Sequence, residues 1–156
     1  MISADMSTLT PAANCWRKWR GRDWIVAMLW TCHVCARQLE FHLQISPGFR
    51  TDGGSIPIIF QNLFIPLGKY LLAFLIHDAL YATEYCTRLE ADRILLEVLE
   101  WQGACWIRRN IIYAAVRCFG WRVWRKHTPE SLAAARYLIT FDAIKGFQPI
   151  NNQGAL

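Results

Sequence analysis

The chain has 156 residues, 54% of them hydrophobic and 19% charged, which fits one folded domain with a real core and excludes disorder over most of its length. Lys and Arg outnumber Asp and Glu by 17 to 12, giving a net charge of +5 and a pI near 9.0. That balance favours anionic partners (nucleic acid, acidic protein or an anionic membrane surface) without choosing among them. The long uncharged runs are broken by Pro57 and Pro66 or, from Trp24 to Ala36, are too short to cross a bilayer. Met1 to Pro11 is polar and carries Asp5, unlike a signal peptide. Six cysteines (15, 32, 35, 86, 105 and 118) without an export signal are expected to be reduced thiols.

In chain order, residues 1–14 read as a loose lead-in. Cys15 to Arg20 interleaves aromatic and basic side chains, and Gly21-Arg22-Asp23 makes a turn. Trp24 to Cys35 is rich in β-branched and aromatic residues. Leu39, Phe41, Leu43 and Ile45 then alternate with Gln38, Glu40, His42 and Gln44, the period-two pattern of a half-buried strand. These segments predict a small antiparallel sheet over about residues 15–50, ending at Pro47-Gly48. Cys32-His33-Val34-Cys35 has the spacing of half a zinc site, but on a strand the two thiols point to opposite faces, so buried thiols are the expectation.

From about residue 57 onward the signals are helical. Tyr70 to Glu84 is apolar and free of Gly and Pro. Thr87-Arg88-Leu89-Glu90 is a capping box opening a helix to about Gln102, with Gly103 just past its end. A third helix is predicted over about Trp106 to Trp124, with Ile112, Val116, Phe119 and Val123 on one face and Gly120 marking a kink or an end. Thr128-Pro129 starts a last helix reaching about Ile144. Residues 146–156 read as a frayed tail. The expected architecture is α+β: one domain over residues 15–145, a small N-terminal antiparallel sheet packed against three or four helices.

Two stretches look suited to chemistry. His77 and Tyr81 are four apart, hence on one helical face, with Asp78 rotated about 100° away. Counted from the turn near residue 85, His77 lies roughly 10 Å back along one helix and Asp92 roughly 7 Å along the next, so the carboxylate reaches the level of the imidazole and can fix its tautomer. Upstream, Gly53-Gly54 permits close backbone approach to a ligand, and Asp52 adds a carboxylate at the junction of sheet and helices. Together these residues could form a divalent metal or ligand site. A plain structural account also fits: Asp52 capping an ordinary turn, and Asp92 satisfying a core histidine.

Two resemblances follow from these residues. The run Pro47 to Pro57, then His77-Asp78-Ala79-Leu80-Tyr81, then Ala91-Asp92-Arg93, resembles a family found mainly in tailed phages and prophages and known as domain of unknown function 1353. The likeness spans about residues 38–124. It implies a phage or prophage origin, hence the host bacterial cytoplasm or the virion as location, and no established activity. The order glycine stretch, His-Asp-Xaa-Xaa-Tyr, Ala-Asp-Arg is also similar, more distantly, to the secreted and parvovirus-type phospholipase A-2 superfamily. That resemblance implies His77 as base toward water, Asp92 orienting it, Tyr81 bonded nearby, and Ca²⁺ held by Asp78 and backbone carbonyls of Gly53-Gly54, with Asp52 a further candidate ligand. The Gly-Xaa-Gly spacing of that superfamily's calcium loop is not reproduced here.

The Trp- and Arg-rich stretches, Trp16 to Arg20 and Trp106 to Lys126, fit an anionic membrane surface or phospholipid, or a phage or host protein; nucleic acid is the weaker candidate. The basic positions are spread around the helix, so a solvated rim around a Trp-rich core is the plainest account of them. The function expected from all of this is a metal-dependent, phospholipase-like hydrolase. The alternative is a non-enzymatic phage factor, a virion component or an inhibitor of a host system, in which the same residues only hold the structure together.

Overall fold

Alternating side chains lay down the strands, and the computed structural model describes them and the helices over residues 16–19, 23–26, 29–37, 39–51 and 70–145. The predicted lead-in (1–14), the tail (146–156), Cys15 and the stretch from Asp52 to Pro57 lie outside the described residues. The sheet expected over residues 15–50 is two three-stranded antiparallel sheets. One contains β1 (Trp16–Trp19), β2 (Asp23–Val26) and β5 (Arg50–Thr51) in the order β1-β2-β5. In the other, β3 (Trp30–Cys35) pairs with β4 (Glu40–Ile45). Along β4, Phe41, Leu43 and Ile45 are buried and His42 and Gln44 exposed, as the alternation predicts. Between β4 and β5 the chain turns at Gly48, whose φ of 101° suits a residue without a side chain. The Gly48 N–H donates to Val26 O at 2.8 Å and the Val26 N–H to Phe49 O at 2.9 Å, which ties that turn to β2.

Among the described residues, four helices of ten residues or more follow: α1 (Leu71–Thr83), α2 (Arg88–Trp101), α3 (Trp106–Phe119) and, after the single turn α4 (Trp121–Trp124), α5 (Pro129–Leu138). The α+β expectation holds. Nearly every α1 side chain from Ala73 to Leu80 is buried, and α2 and α5 both pack against it. The Thr87 capping box forms as predicted, the Glu90 N–H donating to Thr87 Oγ1 and the Thr87 N–H to the Glu90 carboxylate. Gly103 follows α2 with φ 75°. Gly120 separates α3 from α4, and Thr128 caps α5 with Pro129 in its first turn. Apolar faces of the helices, of β3 and β4 and of Ile139 close over one continuous core.

One boundary differs. The helix expected to reach about Ile144 stops at Leu138, and residues Ile139–Lys145 form β6, antiparallel to β4 in the order β3-β4-β6. Ile139-Thr140-Phe141 combines β-branched and aromatic residues, and the free edge of β4 supplies a backbone partner that helix propensity does not weigh. Ile139 is buried opposite Ile45, and the Phe141 ring stacks on Tyr85 with centroids 4.0 Å apart. Cys32 is buried and Cys35 half-buried on opposite faces of β3; burial pushes the Cys32 thiol up, away from metal-ligating thiolate character. Among the described residues, no helix is long and apolar enough to cross a membrane.

Candidate functional site

The capped turn at Thr87 folds α2 back along α1, and His77, Tyr81 and Asp92 meet there as the helix geometry predicts. His77 Nε2 lies 2.9 Å from Asp92 Oδ1, and the Tyr81 hydroxyl donates to the same oxygen at 2.6 Å. The imidazole and phenol rings are 4.1 Å apart between centroids. Asp92 is 0% exposed, and a carboxylate so enclosed is stable only when its oxygens are paired. The remaining oxygen, Oδ2, accepts from Arg117 Nη1 at 2.6 Å.

These bonds set the protonation of the cluster. Burial opposes charge on His77, but its bonds to Asp78 and Asp92 and the nearby negative charges outweigh it and raise the imidazole above its ordinary value. Burial likewise opposes charge on Asp92, and the bonds from His77, Tyr81 and Arg117 outweigh it and hold the carboxyl below the usual range. Tyr81 is pushed up by burial and by Asp92, so its hydroxyl stays a donor. Because Asp92 only accepts, His77 Nε2 must carry a proton. In the neutral imidazole the proton-accepting atom is therefore Nδ1, which lies 3.8 Å from Asp78 Oδ1.

Arg117, Gly120 and Trp124 belong to this cluster and are not apparent from the motifs. Arg117 was expected on the solvated rim. Its guanidinium instead turns inward from α3 to Asp92, and its only local signal is a position beside the buried Val116. Arg88 donates to the Arg117 carbonyl at 3.1 Å, just before the helix breaks at Gly120. A Cβ at Gly120 would lie 2.7 Å from the Tyr81 hydroxyl and 2.6 Å from Val116 O, so the close approach requires glycine. Trp124 meets the Tyr81 ring edge-on at 5.0 Å.

The other predicted ligands are not all brought together here. Asp78 is next to His77, with its side chain 18% exposed. Asp52, Gly53 and Gly54 lie outside the described residues. Among the described residues, no group of three or more His, Cys, Asp or Glu side chains converges as a metal centre. Asp78 offers a carboxylate of the right chemistry for a hard cation, but Ca²⁺ takes about six to eight oxygens, so most would come from elsewhere. A separate cavity of about 230 Å³, lined by Thr83, Glu84, Tyr85, Arg136, Ile139, Thr140 and Phe141, shares no residue with this cluster.

Residues 27–116, more than half of the chain, match the family model described as "Protein of unknown function (DUF1353)". No curated protein and no solved structure matches the chain.

Proposed function

The chain belongs to the DUF1353 family, whose description names no activity, and we propose that it is a phage-encoded hydrolase built on His77, with lipid esters as its first substrate class. The observation that carries this reading is the two-sided imidazole. Nε2 is fixed by Asp92, itself held by Tyr81 and Arg117, while Nδ1 faces Asp78. That leaves Nδ1 as the base: it takes a proton from water as the oxygen attacks the ester carbonyl, then returns it to the departing alkoxide. Asp92 keeps the tautomer and offsets the charge that His77 gains. A divalent cation, Ca²⁺ foremost, held by Asp78 with oxygens of the Asp52-Gly53-Gly54 stretch, would supply stabilisation of the developing oxyanion. The three ordered motifs support the phage or prophage origin.

The decisive experiment is calorimetric titration of Ca²⁺, Mg²⁺ and Zn²⁺ into metal-free protein, alongside a folded Asp78→Asn variant and a phospholipid-vesicle hydrolysis assay. Saturable Ca²⁺ binding lost in Asp78→Asn is expected. His77→Gln should lower turnover by about 10²–10⁴-fold, the usual weight of a general base. Because the base must be neutral and His77 is raised, wild-type turnover should climb as pH rises through the imidazole's elevated value. Absence of ion binding and of turnover would overturn the proposal. One observation favours the second reading, a non-enzymatic virion component or inhibitor of a host system: His77 is 5% exposed, enclosed as a purely structural histidine would be. On that reading His77→Gln alters stability and no turnover exists to lose.

A further inference from the structure

Helix α3 uses one face for the core, through Ile112, Ala115 and Val116, and carries a second apolar stripe that the described fold leaves open. Ile107, Ile111, Ala114 and Cys118 follow one another at spacings of four, three and four residues on one face of α3, and Trp121, three residues further, stands at the start of α4 just past Gly120. Ile107 is 62% and Trp121 43% exposed, Ala114 and Cys118 are exposed, and Ile111 is half-buried. Large side chains stand at the two ends and small ones between them, a saddle that suits a convex ridge better than a flat bilayer.

The charge around the stripe is one-sided. Residues 101–129 contain no Asp or Glu and six basic side chains. Arg117 is committed to Asp92 and Arg109 to Glu100. Arg122, Arg125 and Lys126 remain exposed at the Trp121 end, the two guanidinium groups 5.5 and 5.3 Å from the indole centroid. A second copy of this helix would set like charges against each other. The complementary occupant is anionic, with an apolar ridge.

We propose that this face docks an acidic amphipathic helix of a partner protein, its apolar ridge seated between Ile107 and Trp121 and its carboxylates over Arg122, Arg125 and Lys126. The inference is independent of any chemistry at His77. Its test is calorimetric titration of the full chain with a synthetic amphipathic helix bearing Leu at the a and d positions and Glu at e and g. A matched peptide bearing Lys at e and g serves as control. The Glu peptide should bind at least about tenfold more tightly than the Lys peptide. Ile107→Glu, and separately the double variant Arg122→Glu with Arg125→Glu, should each weaken it at least about tenfold while thermal melts stay unchanged. Equal binding of the two peptides, or binding untouched by the substitutions, overturns the proposal. Two other outcomes also overturn it: a dimer in sedimentation that Ile107→Glu abolishes, or binding to phosphatidylglycerol vesicles lost in the same variants with no peptide binding.

Discussion

Two of the histidine–carboxylate pairs among the described residues are of nearly equal length but stand in very different surroundings. His33 Nε2 and Glu40 Oε1, on neighbouring strands β3 and β4, are 3.0 Å apart with both side chains 27% exposed. His77 Nε2 and Asp92 Oδ1, on neighbouring helices α1 and α2, are 2.9 Å apart with the side chains 6% and 0% exposed. Water can solvate either member of the first pair if the other is lost. For Asp92 no such substitute exists, so His77, Tyr81 and Arg117 carry the whole task of stabilising the carboxylate. Distance alone does not distinguish a decorative ion pair from one on which the fold depends; enclosure and the number of committed partners do.

The largest expected contrast comes from breaking each pair in turn. Asp92→Ala should cost about 3–5 kcal/mol, because it strands a half-buried guanidinium together with a buried phenol and a buried imidazole. Glu40→Gln should cost less than about 1 kcal/mol. Chemical denaturation of both variants measures the difference, and equal losses would mean that burial is not what separates the pairs. A smaller effect is expected from the space around Tyr81. Gly120→Ala should cost about 1–3 kcal/mol through overpacking, since the Tyr81 hydroxyl is pinned by Asp92 and Val116 O belongs to the backbone. A melt unchanged by that substitution would show that the α3–α4 junction yields more easily than its geometry implies.

The gentlest probe is pH. His77 is raised in the folded state, so its contribution is complete below about pH 6.5, its unfolded value, and is lost as pH rises through the folded one. Asp92 is lowered, so its contribution is complete above about pH 4 and is lost as pH falls through its folded value. The cluster is therefore most stabilising between about pH 4 and about pH 6.5. Urea midpoints should hold within that range and decline above it, and His77→Gln should flatten that alkaline decline.

Much of this site was legible because it is local. The Thr87 box and the positions of His77, Tyr81 and Asp92 about one short turn need only the rise of a helix, and the predicted meeting of imidazole and carboxylate is what the structure shows. The third partner was not legible. Arg117 sits 25 residues beyond Asp92 on a helix whose rotation depends on packing, and in the sequence it is one of several arginines in a basic stretch. Gly120 read as a helix punctuation mark, whereas its reason is the Tyr81 hydroxyl against it. The strand at Ile139–Lys145 was hidden for a related cause: its local pattern is compatible with helix, and what decides is the open edge of β4, far away in the chain. The metal-ligand expectation at Asp52, Gly53 and Gly54 remains a proposal resting on Asp78 and the motif.

The position of β4 has a consequence for how the chain is made. Its second neighbour, β6, follows the five described helices, so a ribosome has synthesised α1 to α5 before Ile139 can pair with Ile45. During that interval β4 presents unpaired backbone groups along one side, an invitation to foreign strands in a crowded cell. The helical hairpin, closed by its own capped turn, has no such wait. Assembly is thus expected to run from the centre outward, with the sheet sealed last, and a nascent chain stalled before residue 139 should be the species most prone to aggregate.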